Sequence, residues 1–226
     1  MAGRLAGKQV LVTQANDYMG PATVERFKAE GANVIADATD LTEASAVQAL
    51  IADSAPIDIL VANLAAFNQH GHTVEAVDDA MFSTMFEVMV YPLHRLVRAV
   101  APQMIARNAG KIVVYGSATP LRGMPRLSAY SAARGAQVGY VRSMGVELAP
   151  HNVQLNLIAQ NWVESETYFP SKVREHPKFK ANMESQVPAG RLARADEDVS
   201  LALFLSTEES DYFVGQCIPF AGGWVS

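Results

Sequence analysis

The 226-residue chain predicts a doubly wound α/β sandwich around a parallel sheet, a single domain spanning 1–226. Two observations carry that expectation. Short β-rich runs alternate with segments of helical period, and the runs are nearly continuous in apolar character, as strands covered on both faces are. Half of the residues are hydrophobic, enough for a sizeable core, and no repeat, low-complexity tract or Gly/Ser linker divides the chain.

Gln9–Thr13 reads as the first strand and Gly20 to Glu30 as the helix behind it, ended by Gly31 at C′. Asn33–Ala36 is the second strand. Ala38-Thr39-Asp40-Leu41 then leads almost at once into a helix, Thr42 to Ala52, and a third strand, Ile57–Ala62. A full dinucleotide fold spends another helix and strand here, where adenine and ribose are held, so that half of such a site reads as curtailed. Asp37 has two readings, an acid gripping a ribose or a turn aspartate at a strand end. A long helical pattern covers roughly Asp78 to Arg107. Its Met81, Phe82, Met85, Phe86 and Met89 have the spacing of a core or subunit-interface face, and Arg95, Arg98 and Arg107 read as interface or solvent charges. Strand Lys111–Tyr115, helix Leu127 to Leu148 and strands Val153–Ile158 and Gln216–Phe220 complete the sheet. Cys217, the sole cysteine, excludes an intrachain disulfide and reads as a buried structural thiol.

The turn after the first strand, Thr13-Gln14-Ala15-Asn16-Asp17-Tyr18-Met19-Gly20, keeps one of the three glycines of a dinucleotide-binding loop. Those glycines let the backbone approach a pyrophosphate at a helix N-terminus. Gln14 and Tyr18 put side chains there instead. The fold is therefore expected to lack a functional dinucleotide-binding loop, and no cofactor is expected.

Ser117 follows the Lys111–Tyr115 strand at the carboxyl edge, where ligands of open α/β sheets bind, and Tyr130 follows thirteen positions later. Arg134 lies one helical turn beyond, on the same face. A guanidinium beside a phenol favours the phenolate, which makes Tyr130 a candidate general base. Ser117 is placed to orient the same substrate oxygen.

These residues resemble those of the short-chain dehydrogenase/reductase superfamily. The likeness runs through the Thr13–Gly20 turn, Leu60-Val61-Ala62-Asn63, Gly116-Ser117, Tyr130-Ser131-Ala132-Ala133-Arg134, Gly190-Arg191-Leu192 and Phe220-Ala221-Gly222-Gly223. Within that Rossmann-like superfamily the chain looks like a halohydrin dehalogenase, a family that uses no nicotinamide and carries arginine in place of the catalytic lysine. Three departures from the reductase pattern agree: Gln14 and Tyr18 for glycines, Leu64-Ala65-Ala66 after Asn63, and Met89 in place of a proton-relay asparagine. The resemblance implies that Tyr130 takes the hydroxyl proton of a vicinal halohydrin, Ser117 orients that oxygen, and the alkoxide displaces the neighbouring halide to give an epoxide. It also implies the reverse opening of epoxides by azide, cyanide or nitrite, a halide pocket walled by Tyr18 and by Gln160, Asn161, Trp162 and Val163, and a homotetramer. Trp162 is alternatively a core anchor under that loop. Tyr168-Phe169-Pro170 reads as channel lining or as a hinge into the next helix.

The net charge of −5, with acids and bases dispersed, offers no basic stripe for nucleic acid or anionic lipid. The expected partners are small: a halohydrin or epoxide and a compact anion. Met1 to Lys8 has no signal-peptide core and no segment reaches membrane-span length, so a cytoplasmic location is expected. His70-Gly71-His72 lacks further ligands at metal-binding spacing, so no metal is expected. An NAD(P)-dependent oxidoreductase with an atypical loop and a non-catalytic reductase-like regulator remain the competing readings.

Overall fold

A computed structural model describes residues 3–54, 56–66 and 72–225. Six strands form one parallel sheet: β1 (Gln9–Val12), β2 (Asn33–Ala36), β3 (Ile59–Asn63), β4 (Gly110–Ser117), β5 (Val153–Gln160) and β6 (Cys217–Phe220). Their order is β2-β1-β3-β4-β5-β6. The chain reverses direction across the sheet between β1 and β3, which opens a crevice at their carboxyl ends. β2 forms the edge, so the outer strand of a full dinucleotide fold is absent among the described residues, as the short Asp37–Thr42 connection implies.

The helices are α1 (Gly20–Ala29), α2 (Ala44–Ser54), α3 (Asp79–Arg107), α4 (Thr119–Arg122), α5 (Ser128–Leu148), α6 (Ser171–Arg174), α7 (Pro177–Gln186) and α8 (Ala195–Leu205). α2, α3 and α5 cover one face, around Leu60, Ile112, Val114, Leu155 and Leu157, while α1 and α8 cover the other, around Val61, Val113, Tyr115 and Ile158. Both faces are thus dry, the reason the strands read as continuous apolar runs rather than alternating ones.

Local chemistry sets the helix ends. Asp78 caps α3 by accepting from Met81 N–H at 2.8 Å, and Asn108 ends it in the left-handed conformation, φ 52°. Gly31 follows the α1 cap at φ 86°. The buried face of α5 runs Tyr130, Arg134, Gln137, Val141, Gly145 and Leu148, a helical stripe that carries two of the predicted site residues into the core.

Several boundaries differ from the sequence reading; α2, for one, runs two residues later than read, Ala44–Ser54. β3 starts at Ile59 because Ile57 is tied to the end of α3, its N–H donating to Gln103 and its carbonyl accepting from Arg107. β4 and β5 each run two residues further than their apolar runs, so Ser117 is the last residue of a strand and not the first of a loop. Gly116 is what permits this: a Cβ there would lie 2.6 Å from the Leu157 side chain. Cys217 is half-buried in β6 rather than buried. Met85 and Met89 are core, packed beside Ala129, Tyr130 and Ala133, whereas Phe82 is exposed. No helix among the described residues is long and apolar enough to cross a membrane.

Candidate active site

A cavity of about 270 Å³ opens at the carboxyl edge of the sheet, and all eight predicted site residues line it: Tyr18, Ser117, Tyr130, Arg134, Gln160, Asn161, Trp162 and Val163. The β4–β5 register pairs Ser117 with Gln160, and alternation places both on the face of Tyr115 and Ile158, toward α1 and α8. The Ser117 hydroxyl is held by Thr119, donating to its Oγ1 at 3.1 Å and accepting its N–H at 3.2 Å. Thr119 was not singled out from sequence, although a Thr two residues after a Ser is the spacing of such a local bond.

Arg134 is almost fully buried. Its Nη1 donates to Leu64 O (2.9 Å), Tyr115 O (3.0 Å) and Gln137 Oε1 (2.9 Å), and its guanidinium carbon lies 5.2 Å from the Tyr130 ring centre. Burial opposes its charge, but the phenol oxygens of Tyr130 and Tyr168 outweigh that and raise its pKa above the usual arginine value. Two further tyrosines complete the wall. Burial, with the Asp17 carboxylate beside it, pushes Tyr18 up to about 12, and burial pushes Tyr168 well above the ordinary phenol range. Both therefore keep their O–H at neutral pH, and that of Tyr168 donates to Ala66 O at 3.1 Å. The two rings meet at 4.9 Å.

The turn after β1 keeps left-handed backbone at two of the positions where a dinucleotide loop carries glycine, and keeps one glycine, Gly20. Gln14 and Tyr18 both sit at left-handed φ, 43° and 51°, which costs a residue with a side chain about 1 kcal/mol or more. Gln14 uses its side chain to bridge the turn: Nε2 donates to Ala65 O at 3.2 Å and Oε1 accepts Ala65 N–H at 2.8 Å. Asn63 adds two bonds, from Nδ2 to the carbonyls of Gln14 and Asp17, both 3.0 Å. Gly20 remains because a Cβ there would meet the Gln14 carbonyl oxygen at 2.3 Å. Asp37 caps its own turn, Oδ1 accepting from Thr39 N–H and hydroxyl, while Oδ2 is buried without a partner.

The loop after β5 both packs into the core and lines the cavity. Trp162 stacks on Phe169 (5.7 Å, 6°) and meets Phe179, anchoring the loop in the core, and it also lines the cavity, at a left-handed φ of 58°. Tyr168 and Phe169 line the cavity as well, and Pro170 leads into α6. Two buried donors here, Asn161 Nδ2 and Trp162 Nε1, have no partner among the described residues.

Asp198 went unnoticed in the sequence because it sits in an acidic helix start, Asp196-Glu197-Asp198, which reads as solvated. It is fully buried, and its Oδ2 accepts from the Gln160 side chain. Burial pushes its pKa up to about 7, against the pull of that hydrogen bond. A carboxyl whose folded value stands above its unfolded one, near 4, stabilises fully below pH 4 and loses that contribution as pH rises toward 7. Asp198→Asn is therefore expected to match the wild type near pH 4 and to exceed it by roughly 2–4 kcal/mol at pH 8, read by urea denaturation at both values.

His70 and Gly71 lie outside the described residues. Among the described ones, no three His, Cys, Asp or Glu side chains gather as metal ligands.

A parallel sheet with its cavity at the β1–β3 crevice, carrying a Ser-Tyr-Arg set on β4 and α5, defines a Rossmann-like protein of the short-chain dehydrogenase/reductase type. The family model described as Enoyl-(Acyl carrier protein) reductase matches residues 2–225, and the chain belongs to that family. It is 27% identical to dehydrogenase/reductase SDR family member 6 of Danio rerio, over 98% of this chain and 99% of that protein. It is 30% identical to the sorbitol dehydrogenase of Cereibacter sphaeroides, over 99% and 100%. Among solved structures, a "Dehalogenation enzyme" superposes with a TM-score of 0.87 at 29% identity, covering 98% of this chain and 100% of that one. A levodione reductase, at 0.88 and 21% identity over 97% and 98%, shares the fold.

Many such relatives are named as dehydrogenases or reductases, which would call for a nicotinamide dinucleotide. The residues here do not fit one. The Gln14 side chain, bonded on both sides to Ala65, and the Tyr18 ring stand where the pyrophosphate loop would be open.

Proposed function

We propose that the protein converts vicinal halohydrins to epoxides without a nicotinamide, releasing halide and a proton, and opens epoxides with compact anions in the reverse direction. One observation carries this: the Ser117, Tyr130 and Arg134 cavity stands beside a pyrophosphate turn filled by the protein's own Gln14 and Tyr18. Proton chemistry is retained where dinucleotide binding is blocked. The likeness to the solved dehalogenation enzyme supports the same reading.

In the proposed step, Tyr130 takes the hydroxyl proton while Ser117 orients the oxygen. That oxygen forms a bond to the adjacent carbon from the side opposite the halogen, and the carbon–halogen pair leaves with the halide. The substrate carries its own nucleophile, so no covalent enzyme intermediate is required. Asn161 Nδ2 and Trp162 Nε1, buried and unpartnered, supply donors that a departing anion would satisfy.

An oxidoreductase reading keeps one observation in its favour, the buried, unpartnered Oδ2 of Asp37 at the end of β2, where a ribose acid would sit. The two readings separate in one experiment. Purified protein with a chloro- or bromo-alcohol and no cofactor is expected to release free halide, and micromolar NADH is expected to leave tryptophan fluorescence unchanged. NADH quenching without halide release would reverse the assignment.

A further inference from the structure

Gln160 stands between the cavity and a buried carboxyl. On one side it lines the cavity beside Ser117, its partner in the β4–β5 register. On the other, its Nε2 donates to Asp198 Oδ2, and Asp198 Oδ1 has no partner among the described residues. Among the described residues no cation stands beside Asp198. The groups that face it are Gln160 from β5 and Tyr115 from β4. The Tyr115 hydroxyl lies 2.9 Å from Thr23 Oγ1 of α1, which gives its own proton to Met19 O at 2.7 Å, so the phenol donates to Thr23 and stays neutral. Tyr115 is held well above the ordinary phenol range by burial and by the Asp198 charge.

Hydrogen-bond chemistry then allows two states. An ionised carboxylate accepts only, so the Gln160 NH2 must turn toward it and the amide oxygen is left for the cavity side. A protonated carboxyl can donate, which lets the amide turn over and present its two N–H donors to the cavity. The two orientations occupy nearly the same space, since amide oxygen and nitrogen are close in size.

We propose that Asp198 is a positioning residue that decides, through the Gln160 amide, whether the cavity meets an anion with donors or with an acceptor. Uptake of an anion then carries a proton onto Asp198, and release of the anion lets it go. The inference rests on the anion-binding reading of the cavity. It adds a pH dependence of anion occupancy: low pH holds the anion in the cavity and high pH lets it go. Asp198 titrates in the range where this matters, since burial brings its pKa to about 7.

The test is bromide binding to the intact protein, followed by tryptophan fluorescence at pH 6 and pH 8, with calorimetry in two buffers to count protons. A site of this pKa that binds only when protonated weakens about tenfold between those values. Wild type is expected to show that tenfold rise in Kd and to take up roughly half a proton per bromide at pH 7. Asp198→Asn is expected to bind with the same Kd at both pH values and to take up none. Gln160→Leu is expected to bind weakly and without pH dependence, and it decides the question if the Asp198 variant does not fold. An Asp198→Asn protein that keeps the wild-type pH dependence overturns the proposal while leaving the anion cavity intact. Wild type that binds no bromide at pH 6 overturns the cavity reading and this proposal with it.

Discussion

Tyr130→Phe is expected to lower halide release by about 10³–10⁴-fold while the protein stays folded, the scale on which a general base contributes to proton transfer. The side chain is 6% exposed, and its ring packs among Met85, Met89, Ala129 and Ala133. Phenylalanine keeps all of that packing and removes only the hydroxyl, so Tm should move by no more than a few degrees. Tyr18 and Tyr168 cannot take over, because both are held as neutral phenols by burial. Ser117→Ala should cost less, about 10²-fold, because it removes an orienting bond but leaves the base. Its partner Thr119 would then lose the group that its N–H and hydroxyl both contact. Initial rates of halide release at saturating substrate, beside thermal melts, separate the chemical effect from any loss of fold. Full activity in Tyr130→Phe would end the proposed mechanism.

The parts of this protein that were legible in its sequence are those where one physical requirement acts alone. The four inner strands β1, β3, β4 and β5 are buried on both faces, so their apolar runs stand out whatever packs on them, while the edge strands β2 and β6 are partly exposed and stand out by β-branched and apolar composition alone. Tyr130 and Arg134 are four residues apart on one stripe of α5, and spacing alone predicts a shared face. The Gln14 and Tyr18 substitutions were legible because the loop they interrupt depends on glycine, and both residues keep a left-handed φ.

Where two requirements compete, the sequence misleads. Gly116-Ser117 reads as lying just past the Lys111–Tyr115 strand, yet both residues continue the ladder to Ala159 and Gln160, because glycine leaves the Leu157 side chain the space that a Cβ would fill. α4, α6 and α7 are short or largely exposed and have little apolar stripe to announce them. α8 begins with three acids that suit a helix N-terminus, and that pattern hides Asp198. Its spacing to Ala202 and Leu205, both buried, was the available sign that it faces inward.

Arg134→Met is the second change with a large expected effect, and it should damage fold and chemistry together. One nitrogen of this guanidinium joins the ends of β3 and β4, through the carbonyls of Leu64 and Tyr115, to Gln137 on α5. Gln137 in turn donates to Met89 O on α3 at 2.9 Å. Methionine fills similar space but leaves those acceptors buried and unpaired, at about 1–3 kcal/mol for each that water cannot reach. A net loss of roughly 3 kcal/mol is expected, or a fall in Tm of about 6–12 °C for a chain of this size. Activity should fall by at least about 10²-fold even where the variant is folded, since the positive charge beside Tyr130 is gone. Arg134→Lys restores the charge without the planar fork. It should therefore recover part of the stability and part of the rate, with an altered pH profile, because one ammonium cannot reach three acceptors and the phenol with the same geometry. Melting curves and halide-release profiles from pH 6 to 9 for both variants test this. If methionine lowers Tm but leaves the rate of the folded fraction unchanged, Arg134 is a structural clamp only, and its guanidinium serves the packing of β3 and β4 rather than the reaction.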